Sequence, residues 1–452
     1  MTFWDTALRE GDGPAFRRLA DAIHTAIADG QLARGERLPA QRDLAYRLGV
    51  SIGTVTRAYE LATRRGDVTA TIGKGTYVGA PTPAKADGPV NLRINLPADI
   101  GQGVDIAAAL AKRPAAEFMG YIPFGGSDAV RRAGADYLAL GGMSADPGGL
   151  IVTAGGQHAL LTALLASTEA GDLVLCEPFT FGGFLDAARL MNRRVMAVPA
   201  DRDGILPDAF EKLCAEQKPA ACFLSPTAQN PTGATLATAR RKAIAASLTR
   251  HKVMLIEDAL YDPLEAAPPS PLTSFAPEQG FYVASLSKTV APGFRVGFLV
   301  CPANAQKTGL RDRANDIQHL LGMGPPWAMA EIAGEMIANG AAKRLVSAQA
   351  DEIAARRTLA RAHFGEGQVP QGSNAPHLWL ALPPPWTADG FALAAEETGV
   401  IVSPSGHFAV GEATAHIRLS LGAAPDRAVL DTCLEKIATL MESRPAGRRR
   451  SI

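Results

Sequence analysis

The chain has 452 residues, which is more than a single compact core normally holds, so the sequence predicts two or three domains. Hydrophobic residues make up 47% and charged residues 20%, which excludes an intrinsically disordered chain. Lysine and arginine (45) equal aspartate and glutamate (45), so any surface that attracts nucleic acid must be local. No basic start is followed by an apolar run, and no apolar stretch reaches the roughly 20 residues that span a bilayer. We therefore expect a cytoplasmic protein without a membrane partner.

The five cysteines are scattered along the chain, without CxxC pairs or histidine partners. Most of them lie in apolar segments that resemble strands. This usage predicts reduced thiols, with neither a metal site nor disulfide bonds.

Residues 14–79 have the pattern of a small DNA-binding unit. Apolar residues at helical spacing predict a first helix over residues 16–29. A second helix begins at Pro39 and stops at Gly49, and Ser51 is placed to cap a third. Two β-rich segments then flank a Gly-Lys-Gly turn. This order is typical of a helix-turn-helix followed by a two-stranded wing.

A proline-containing segment, residues 80–90, lacks apolar periodicity and is predicted to be a short linker. Beyond it, apolar strands alternate with helical segments, as in a largely parallel sheet buried on both faces. The strands are predicted at residues 150–153, 173–176, 195–198, 221–224, 253–256, 282–284 and 296–300. A long helix from about residue 345 leads into a smaller α+β region that ends near residue 440. Residues 441–452 are predicted to be a solvated tail.

One lysine lies among small hydroxyl residues at positions 285–289, and an arginine follows seven positions later. These surroundings suit Lys288 as the amine that condenses with the aldehyde of pyridoxal 5′-phosphate (PLP). Ser285, Ser287 and Arg295 would hold the phosphate dianion. The sequence therefore predicts a PLP site around this lysine.

Other segments offer the remaining groups that PLP chemistry needs. Asp258, after a predicted strand, would keep the pyridine nitrogen protonated, while Tyr261 and the amide of Asn230 would bind the phenolic oxygen. Phe181 would pack on the ring face, unless the turn is shifted and Phe179 takes that role. Backbone amides at a helix start would receive the phosphate, from Gly156, Gln157 and His158. For His158 the sequence leaves open whether the ring or only the backbone N–H takes part.

From about residue 90 to 440 the chain resembles class I/II aminotransferases of PLP fold type I. The resemblance implies a homodimer with two sites at the subunit interface. It makes Tyr121 the counterpart of a tyrosine that reaches the phosphate from the neighbouring subunit. Arg418 corresponds to the arginine that binds the α-carboxylate of an amino acid. The matching motifs are Tyr121-Ile122-Pro123-Phe124-Gly125-Gly126, Gly155-Gly156-Gln157-His158-Ala159-Leu160, Asn230-Pro231-Thr232-Gly233, Asp258-Ala259-Leu260-Tyr261, Ser285-Leu286-Ser287-Lys288 and His416-Ile417-Arg418-Leu419-Ser420.

Residues 14–79 resemble the GntR-type winged helix-turn-helix, whose third helix would enter the major groove. The motifs are Leu38-Pro39-Ala40-Gln41-Arg42-Asp43-Leu44-Ala45, Leu48-Gly49-Val50-Ser51-Ile52-Gly53-Thr54-Val55-Thr56-Arg57-Ala58-Tyr59 and Gly73-Lys74-Gly75-Thr76-Tyr77-Val78. Ile52 stands where many relatives have an arginine, which favours apolar contact with a thymine methyl over guanine recognition. The predicted DNA contacts are Arg42, Ser51, Gly53, Thr54, Arg57, Lys74 and Gly75.

Together the two resemblances identify the chain as a member of the MocR subfamily of GntR regulators. The predicted fold is multidomain, with an α+β winged helix-turn-helix (1–79), an α/β PLP-dependent transferase domain (91–440) and, within the latter, a small α+β C-terminal part. The leading hypothesis is a PLP-dependent transcriptional regulator that binds operator DNA and an amino-acid-like effector. The alternative is a working aminotransferase with an accessory DNA-binding domain. A scaffold that binds no cofactor is disfavoured by the presence of Lys288 and Asp258.

Overall fold

The computed structural model describes residues 4, 8, 13–32, 36–65, 67–71, 75–78, 88–112, 119–120, 123 and 125–443. The chain divides into two compact units, Met1–Gly88 and Pro89–Ile452, and each contains its own hydrophobic core. The predicted site residues Tyr121 and Lys74 lie outside the described residues. Within the described part, no helix is both long enough and apolar enough to cross a membrane.

In the N-terminal unit, helices precede a hairpin, as the sequence predicts. Helix α2 ends at Gly49, whose left-handed backbone (φ 65°, ψ 30°) carries no steric cost in glycine. The hydroxyl of Ser51 accepts a hydrogen bond from the backbone N–H of Thr54 (3.1 Å), so this serine caps α3. The elements are α1 (Ala15–Ala28), α2 (Gln41–Leu48), α3 (Ile52–Arg65), β1 (Val68–Thr71) and β2 (Gly75–Val78).

Two side-chain hydrogen bonds tie α3 to the start of α2. The phenol of Tyr59 donates to the carbonyl of Pro39 (2.9 Å), and the hydroxyl of Thr56 donates to Oε1 of Gln41 (2.8 Å). Tyr59 is also buried against the apolar face of α1, where Ile23 is fully buried. Burial and hydrogen bonds together hold the angle between the two helices of the helix-turn-helix.

The second unit is built on a seven-stranded sheet with the spatial order β4-β12-β11-β10-β9-β5-β6. Only β12 runs against the other six, since it pairs antiparallel with both of its neighbours. The prediction of a largely parallel α/β sheet is therefore confirmed. The strands of the unit are β3 (Val90–Asn91), β4 (Leu150–Thr153), β5 (Leu173–Cys176), β6 (Arg194–Ala197), β7 (Ala200–Asp201), β8 (Gly204–Ile205), β9 (Ala221–Leu224), β10 (Met254–Asp258), β11 (Gly280–Ser285), β12 (Gly297–Val300), β13 (His377–Ala381), β14 (Val400–Ile401), β15 (Ser403–Pro404) and β16 (His416–Ser420).

Helices cover the sheet and build the C-terminal region. The longest of them, α13, is interrupted at Gly365, where the backbone leaves the helical conformation (φ 72°, ψ 172°). The helices are α4 (Gly103–Leu110), α5 (Asp128–Ala139), α6 (Gly156–Ser167), α7 (Gly182–Leu190), α8 (Pro207–Gln217), α9 (Thr238–His251), α10 (Ala305–Thr308), α11 (Leu310–Gly322), α12 (Trp327–Ala338), α13 (Ala341–Gln368), α14 (Ala388–Glu397) and α15 (Arg427–Glu442).

The C-terminal α+β region contains the antiparallel sheet β13-β16-β15 and a core shared with α13, α14 and α15. The short strand β3 also belongs to it, since Val90 pairs in parallel with Val400 of β14 and Leu92 is fully buried in the same core. The chain therefore enters this region directly after the predicted linker, long before residue 345. A two-residue strand has no periodicity, so the sequence does not reveal this pairing.

Candidate functional site

A cavity of about 320 Å³, here called the strand-end cavity, lies where β10 and β11 end. Parallel strands bring their carboxyl ends to one edge of the sheet, where α/β folds bind small ligands. The volume is in the range typical of sites for small molecules. Most of the residues predicted for PLP line it: Gly156, Gln157, Phe181, Asn230, Asp258, Tyr261, Ser287, Lys288 and Arg295, together with the predicted carboxylate ligand Arg418.

The alternation of side chains along β10 separates two carboxylates. Asp258 lines the cavity, whereas Glu257 accepts hydrogen bonds from the backbone N–H groups of Leu272 (2.9 Å) and Thr273 (2.7 Å). Arg241 lies 3.9 Å from Glu257, and both side chains are fully buried. This pair was not predicted, although a charge inside the apolar run Met-Leu-Ile-Glu-Asp is a signal for it. It fixes the end of the strand that carries Asp258.

Asp258 is half-buried in the cavity wall, and desolvation there raises its pKa to about 6. The backbone N–H of Leu260 and the positive charge of Lys288 both oppose this rise. The carboxylate form is therefore the major one at neutral pH. A carboxylate in the wall of a cavity suits a ligand that carries a protonated ring nitrogen.

Lys288 is half-buried as well, and its amine donates a hydrogen bond to the backbone carbonyl of Asn95 over 2.6 Å. Burial lowers the pKa of Lys288 to about 8, and the positive charge of Arg418 acts in the same direction, while Asp258 opposes it. A lysine with this pKa is partly neutral near pH 7.5 and can act as a nucleophile. The side chain is presented by a single turn, Leu286–Lys288, directly after β11.

The part of the cavity lined by the start of α6 is suited to an anion. The first N–H groups of α6 have no acceptor within the helix, and they lie beside Arg295, which donates to the carbonyl of Ala154 (3.1 Å). Gly155 has a positive φ of 88°, and a Cβ at this position would lie 3.0 Å from the guanidinium of Arg295. Glycine is therefore needed for the arginine to approach the helix start. Ser287 adds a hydroxyl to this part of the cavity lining.

Two predicted cofactor residues have side chains engaged elsewhere. The ring of His158 accepts from the N–H of Ala154 at Nδ1 (2.9 Å) and donates from Nε2 to the carbonyl of Gln318 (3.1 Å). Only its backbone N–H remains for a ligand. The hydroxyl of Ser285 contacts Ser287 and accepts from its N–H (3.1 Å), which starts the turn that carries Lys288. Among the described residues, neither His158 nor Ser285 lines the cavity.

The structure also distinguishes the two phenylalanines. Phe181 lines the strand-end cavity, whereas the ring of Phe179 packs against Trp379 at a centroid distance of 5.3 Å. Of the two rings, Phe181 is therefore the one that a ligand in this cavity would contact.

Arg418 lies on β16 and is almost fully buried. Its Nη1 donates to Oδ1 of Asn230 (2.8 Å), its Nη2 donates to the carbonyl of Arg93, and its guanidinium lies 4.7 Å from the ring centroid of Phe408. Its Nε is buried without an acceptor among the described residues. A buried cation with an unused donor suits a carboxylate ligand, because leaving the donor unpaired costs free energy.

Three cavity residues, Arg93, Ile94 and Asn95, come from the segment that follows β3. No motif marks them in the sequence, since their segment has neither periodicity nor a glycine-rich turn. Arg93 also lines a wider groove of about 780 Å³, here called the adjoining groove, which shares Phe181 and Arg418 with the strand-end cavity. The two spaces therefore adjoin at these three residues.

The predicted DNA-contacting residues of the described chain lie around α3 and the hairpin. Arg42, Ser51, Gly53 and Arg57 are exposed, and Thr54 is half-buried. In the hairpin, Gly75 is half-buried and has a φ of 113°, and a Cβ there would lie 2.8 Å from Nε of Arg37. The positive φ at Gly75 favours glycine over any residue with a Cβ, and a Cβ would also displace the Arg37 side chain. Ile52 is 49% exposed, as an apolar contact to DNA requires.

The donor set of the strand-end cavity fits PLP. It combines a lysine amine, a carboxylate, a phenol, an aromatic ring and a helix start with an arginine. Each of these groups complements one part of the cofactor.

Both parts of the chain match families of known proteins. Residues 88–437 match the family model "Aminotransferase class I and II", and residues 16–78 match "Bacterial regulatory proteins, gntR family". The HTH-type transcriptional regulator YdeF of Bacillus subtilis is 24% identical, over 97% of this chain and 94% of its own length. The HTH-type pyridoxine biosynthesis transcriptional regulator PdxR of Corynebacterium glutamicum is 26% identical, over 63% of this chain and 65% of its own.

Among solved structures, the α-aminoadipate aminotransferase LysN of Thermus thermophilus covers 79% of this chain and 92% of its own, with 24% identity and a TM-score of 0.70. This likeness shows the fold, which is that of PLP fold type I as predicted. The chain therefore belongs to the class I and II aminotransferase family and carries in front of it a gntR-family helix-turn-helix, the combination of the MocR subfamily.

Proposed function

We propose that the protein is a transcriptional regulator that binds operator DNA through residues 16–78 and PLP in the strand-end cavity. The observation that carries the proposal is the presence, on one chain, of a gntR-type helix-turn-helix and a cavity lined by both a lysine and an aspartate with shifted pKa values. The relatives named as HTH-type transcriptional regulators support the same combination of roles.

Each residue of the cavity would bind a different part of the cofactor. Lys288 would hold its aldehyde carbon, Asp258 its ring nitrogen, and Tyr261 with Asn230 its phenolic oxygen. Bound PLP supplies an electrophilic carbon and an electron-withdrawing ring. The phosphate would rest on the start of α6, with the backbone N–H groups of Gly156, Gln157 and His158 and the side chains of Ser287 and Arg295. Phe181 would cover one face of the ring.

The effector would be an amino acid or an amino-carboxylate. The unused Nε of Arg418 supports a carboxylate at the edge of the strand-end cavity. The rest of the effector would extend past Arg93 into the adjoining groove, which is large enough for a side chain. Such a ligand changes DNA affinity only if it binds two arrangements of the protein differently.

A homodimer would be the DNA-binding form. The first 80 residues carry 11 Lys/Arg against 9 Asp/Glu, a net charge of +2, which is weak for one copy on DNA. Large apolar side chains are exposed on the second unit, including Leu320 (84%) and Val104 (64%), and a second copy would cover them. A dimer would then present two recognition helices to paired half-sites.

The proposal is tested by two measurements on one preparation. The purified protein should take up PLP with a visible absorption band and should shift DNA fragments from upstream of its own gene and its neighbours. Substitution of Lys288 by alanine should abolish the reducible link to PLP. Protein that neither takes up PLP nor binds any upstream fragment would contradict the proposal.

A second function, a working aminotransferase, is favoured by the completeness of the cavity. Lys288, Asp258, Tyr261, Asn230 and Arg418 all line the cavity, and this set is complete enough for transamination. An enzyme would convert PLP to pyridoxamine phosphate rapidly with an amino donor and turn over repeatedly with a 2-oxo acid. A regulator would keep the amino compound bound or turn it over slowly, which stopped-flow absorbance distinguishes.

A further inference from the structure

Asn95 occupies an unusual place beside the strand-end cavity. It lies in the segment between β3 and α4 and is 5% exposed. Its side-chain Nδ2 donates to the phenol oxygen of Tyr261 (2.8 Å) and lies 3.2 Å from Nδ1 of His377, the first residue of β13. One amide group thus connects Tyr261 to a buried histidine of the C-terminal region.

The neighbours of His377 fix the orientation of this amide. Nε2 of His377 lies 2.9 Å from the backbone carbonyl of Gln229, which can only accept, so Nε2 carries the proton. Nδ1 is then an acceptor and must face the NH₂ end of Asn95. Burial, aided by the positive charge of Arg418, lowers the pKa of His377 to about 3, so the ring stays neutral and keeps this tautomer near neutral pH.

The same arrangement determines what Tyr261 can do. Its oxygen accepts from Asn95, so its own hydrogen is not used in that bond and is free to be donated to another group. Burial raises the pKa of Tyr261 to about 12, so this hydrogen is retained at physiological pH. Because Tyr261 lines the strand-end cavity, a ligand oxygen there is the acceptor that remains.

We infer that Asn95 and His377 are positioning residues, which orient the phenol of Tyr261 as a hydrogen-bond donor into the strand-end cavity. The inference rests on the proposed PLP site, and it adds two residues that no motif marks. They act through Tyr261: Asn95 supplies the donor that occupies the phenol oxygen, and His377 fixes the face that Asn95 presents.

The role of the Asn95 side chain can be tested separately from a contact that the backbone of Asn95 makes. The backbone carbonyl of Asn95 accepts from the amine of Lys288, and this contact does not depend on the side chain. Asn95→Ala therefore removes the hydrogen bond to Tyr261 and leaves the carbonyl in the chain. Asn95→Asp keeps the size of the side chain but replaces both donors with acceptors, which would draw the hydrogen of Tyr261 away from the cavity.

The experiment follows the visible spectrum of the PLP-loaded protein between pH 5 and 10. Donation from Tyr261 stabilises the deprotonated ring oxygen, so both Asn95 variants should move the spectral midpoint upward, by about one pH unit. His377→Phe should move the midpoint in the same direction.

In a Tyr261→Phe background, Asn95→Ala should add no further shift, because the two residues act through one bond. Asn374→Ala, which removes an amide bound to the carbonyls of Leu264 (2.7 Å) and Ala350 (3.0 Å), is the matched control that should leave the midpoint unchanged.

The outcomes separate this inference from the proposed function. Wild-type protein that takes up no PLP would overturn the proposed cofactor and the inference with it. PLP-loaded protein whose midpoint is the same in wild type and in both Asn95 variants would overturn the positioning role alone. An equal shift for Asn95→Ala with and without Tyr261 would also overturn it, because the effect would then not pass through the phenol.

Discussion

The guanidinium of Arg418 donates a hydrogen bond from Nη1 to Oδ1 of Asn230 over 2.8 Å. Because the amide oxygen faces Arg418, the NH₂ end of Asn230 is left as the donor in the cavity that both residues line. The contact joins β16 of the C-terminal region to the loop after β9. A carboxylate bound at Arg418 would therefore act directly on a residue proposed to hold the cofactor.

Substitution of Lys288 should remove the covalent link to PLP. Wild-type protein that is loaded with PLP and reduced with borohydride should carry the cofactor on the peptide that contains Lys288, as seen by mass spectrometry. Lys288→Ala should carry none, and Lys242→Ala, which removes an exposed lysine, should label like wild type. Label on another lysine of the wild-type protein would refute the assignment.

The lowered pKa of Lys288 predicts how fast PLP binds at different pH values. Only the neutral amine attacks the aldehyde, and a pKa of about 8 makes the neutral form dominant above that pH. The association rate should therefore rise between pH 6.5 and about 8 and level off above it. Stopped-flow absorbance measures the rate. A rise that continues to pH 10 would indicate an ordinary lysine pKa.

Arg418→Ala should weaken the response to an amino-acid effector without weakening DNA binding in its absence. Loss of a buried bidentate charge pair typically costs about 2–5 kcal/mol, so the effector concentration for half response should rise by roughly 30-fold or more. Operator binding titrated with an amino-acid panel measures this. Arg313→Ala, which breaks an exposed ion pair with Glu169, is the control. An unchanged response in Arg418→Ala would favour PLP itself as the signal.

Arg42→Ala and Thr54→Ala should each reduce operator affinity. A lost specific contact costs about 1–3 kcal/mol, which is roughly 5- to 150-fold in the dissociation constant. Thr63→Ala, nearer the end of α3, should bind like wild type, since its hydroxyl donates to the carbonyl of Tyr59 (2.7 Å). Fluorescence anisotropy gives the affinities, and the PLP spectrum should be the same in all variants. Equal affinity in a double Arg42 and Thr54 variant would exclude this docking.

Local patterns in the sequence predict most of the fold. Apolar runs locate the central strands to within one or two residues, and Ser51 and Gly49 mark the helix ends that the structure has. The errors fall at strand ends, as in β11, which begins at Gly280 and ends at Ser285 rather than covering residues 282–284. Glycine and serine have low strand propensity, so hydrogen bonding in the sheet decides these ends.

The positioning residues of the site could not be predicted in the same way. Asn95 contacts Tyr261 and His377 across 166 and 282 residues of sequence, and such contacts exist only after the C-terminal region has packed on the large sheet. The hydrogen bond of the His158 ring cannot be predicted from the sequence either, because its acceptor is the carbonyl of Gln318, which is 160 residues away. Motifs locate the residues that touch a ligand better than the residues that orient them.

The central claim is that one chain couples a ligand in the strand-end cavity to DNA. The most direct test is the operator dissociation constant of the full chain, measured without PLP, with saturating PLP, and with PLP plus each proteinogenic amino acid. We expect at least one ligand condition to change this constant, and operator DNA to change the affinity for that ligand by the same factor, as linkage requires. A dissociation constant that is identical in every condition would contradict the account.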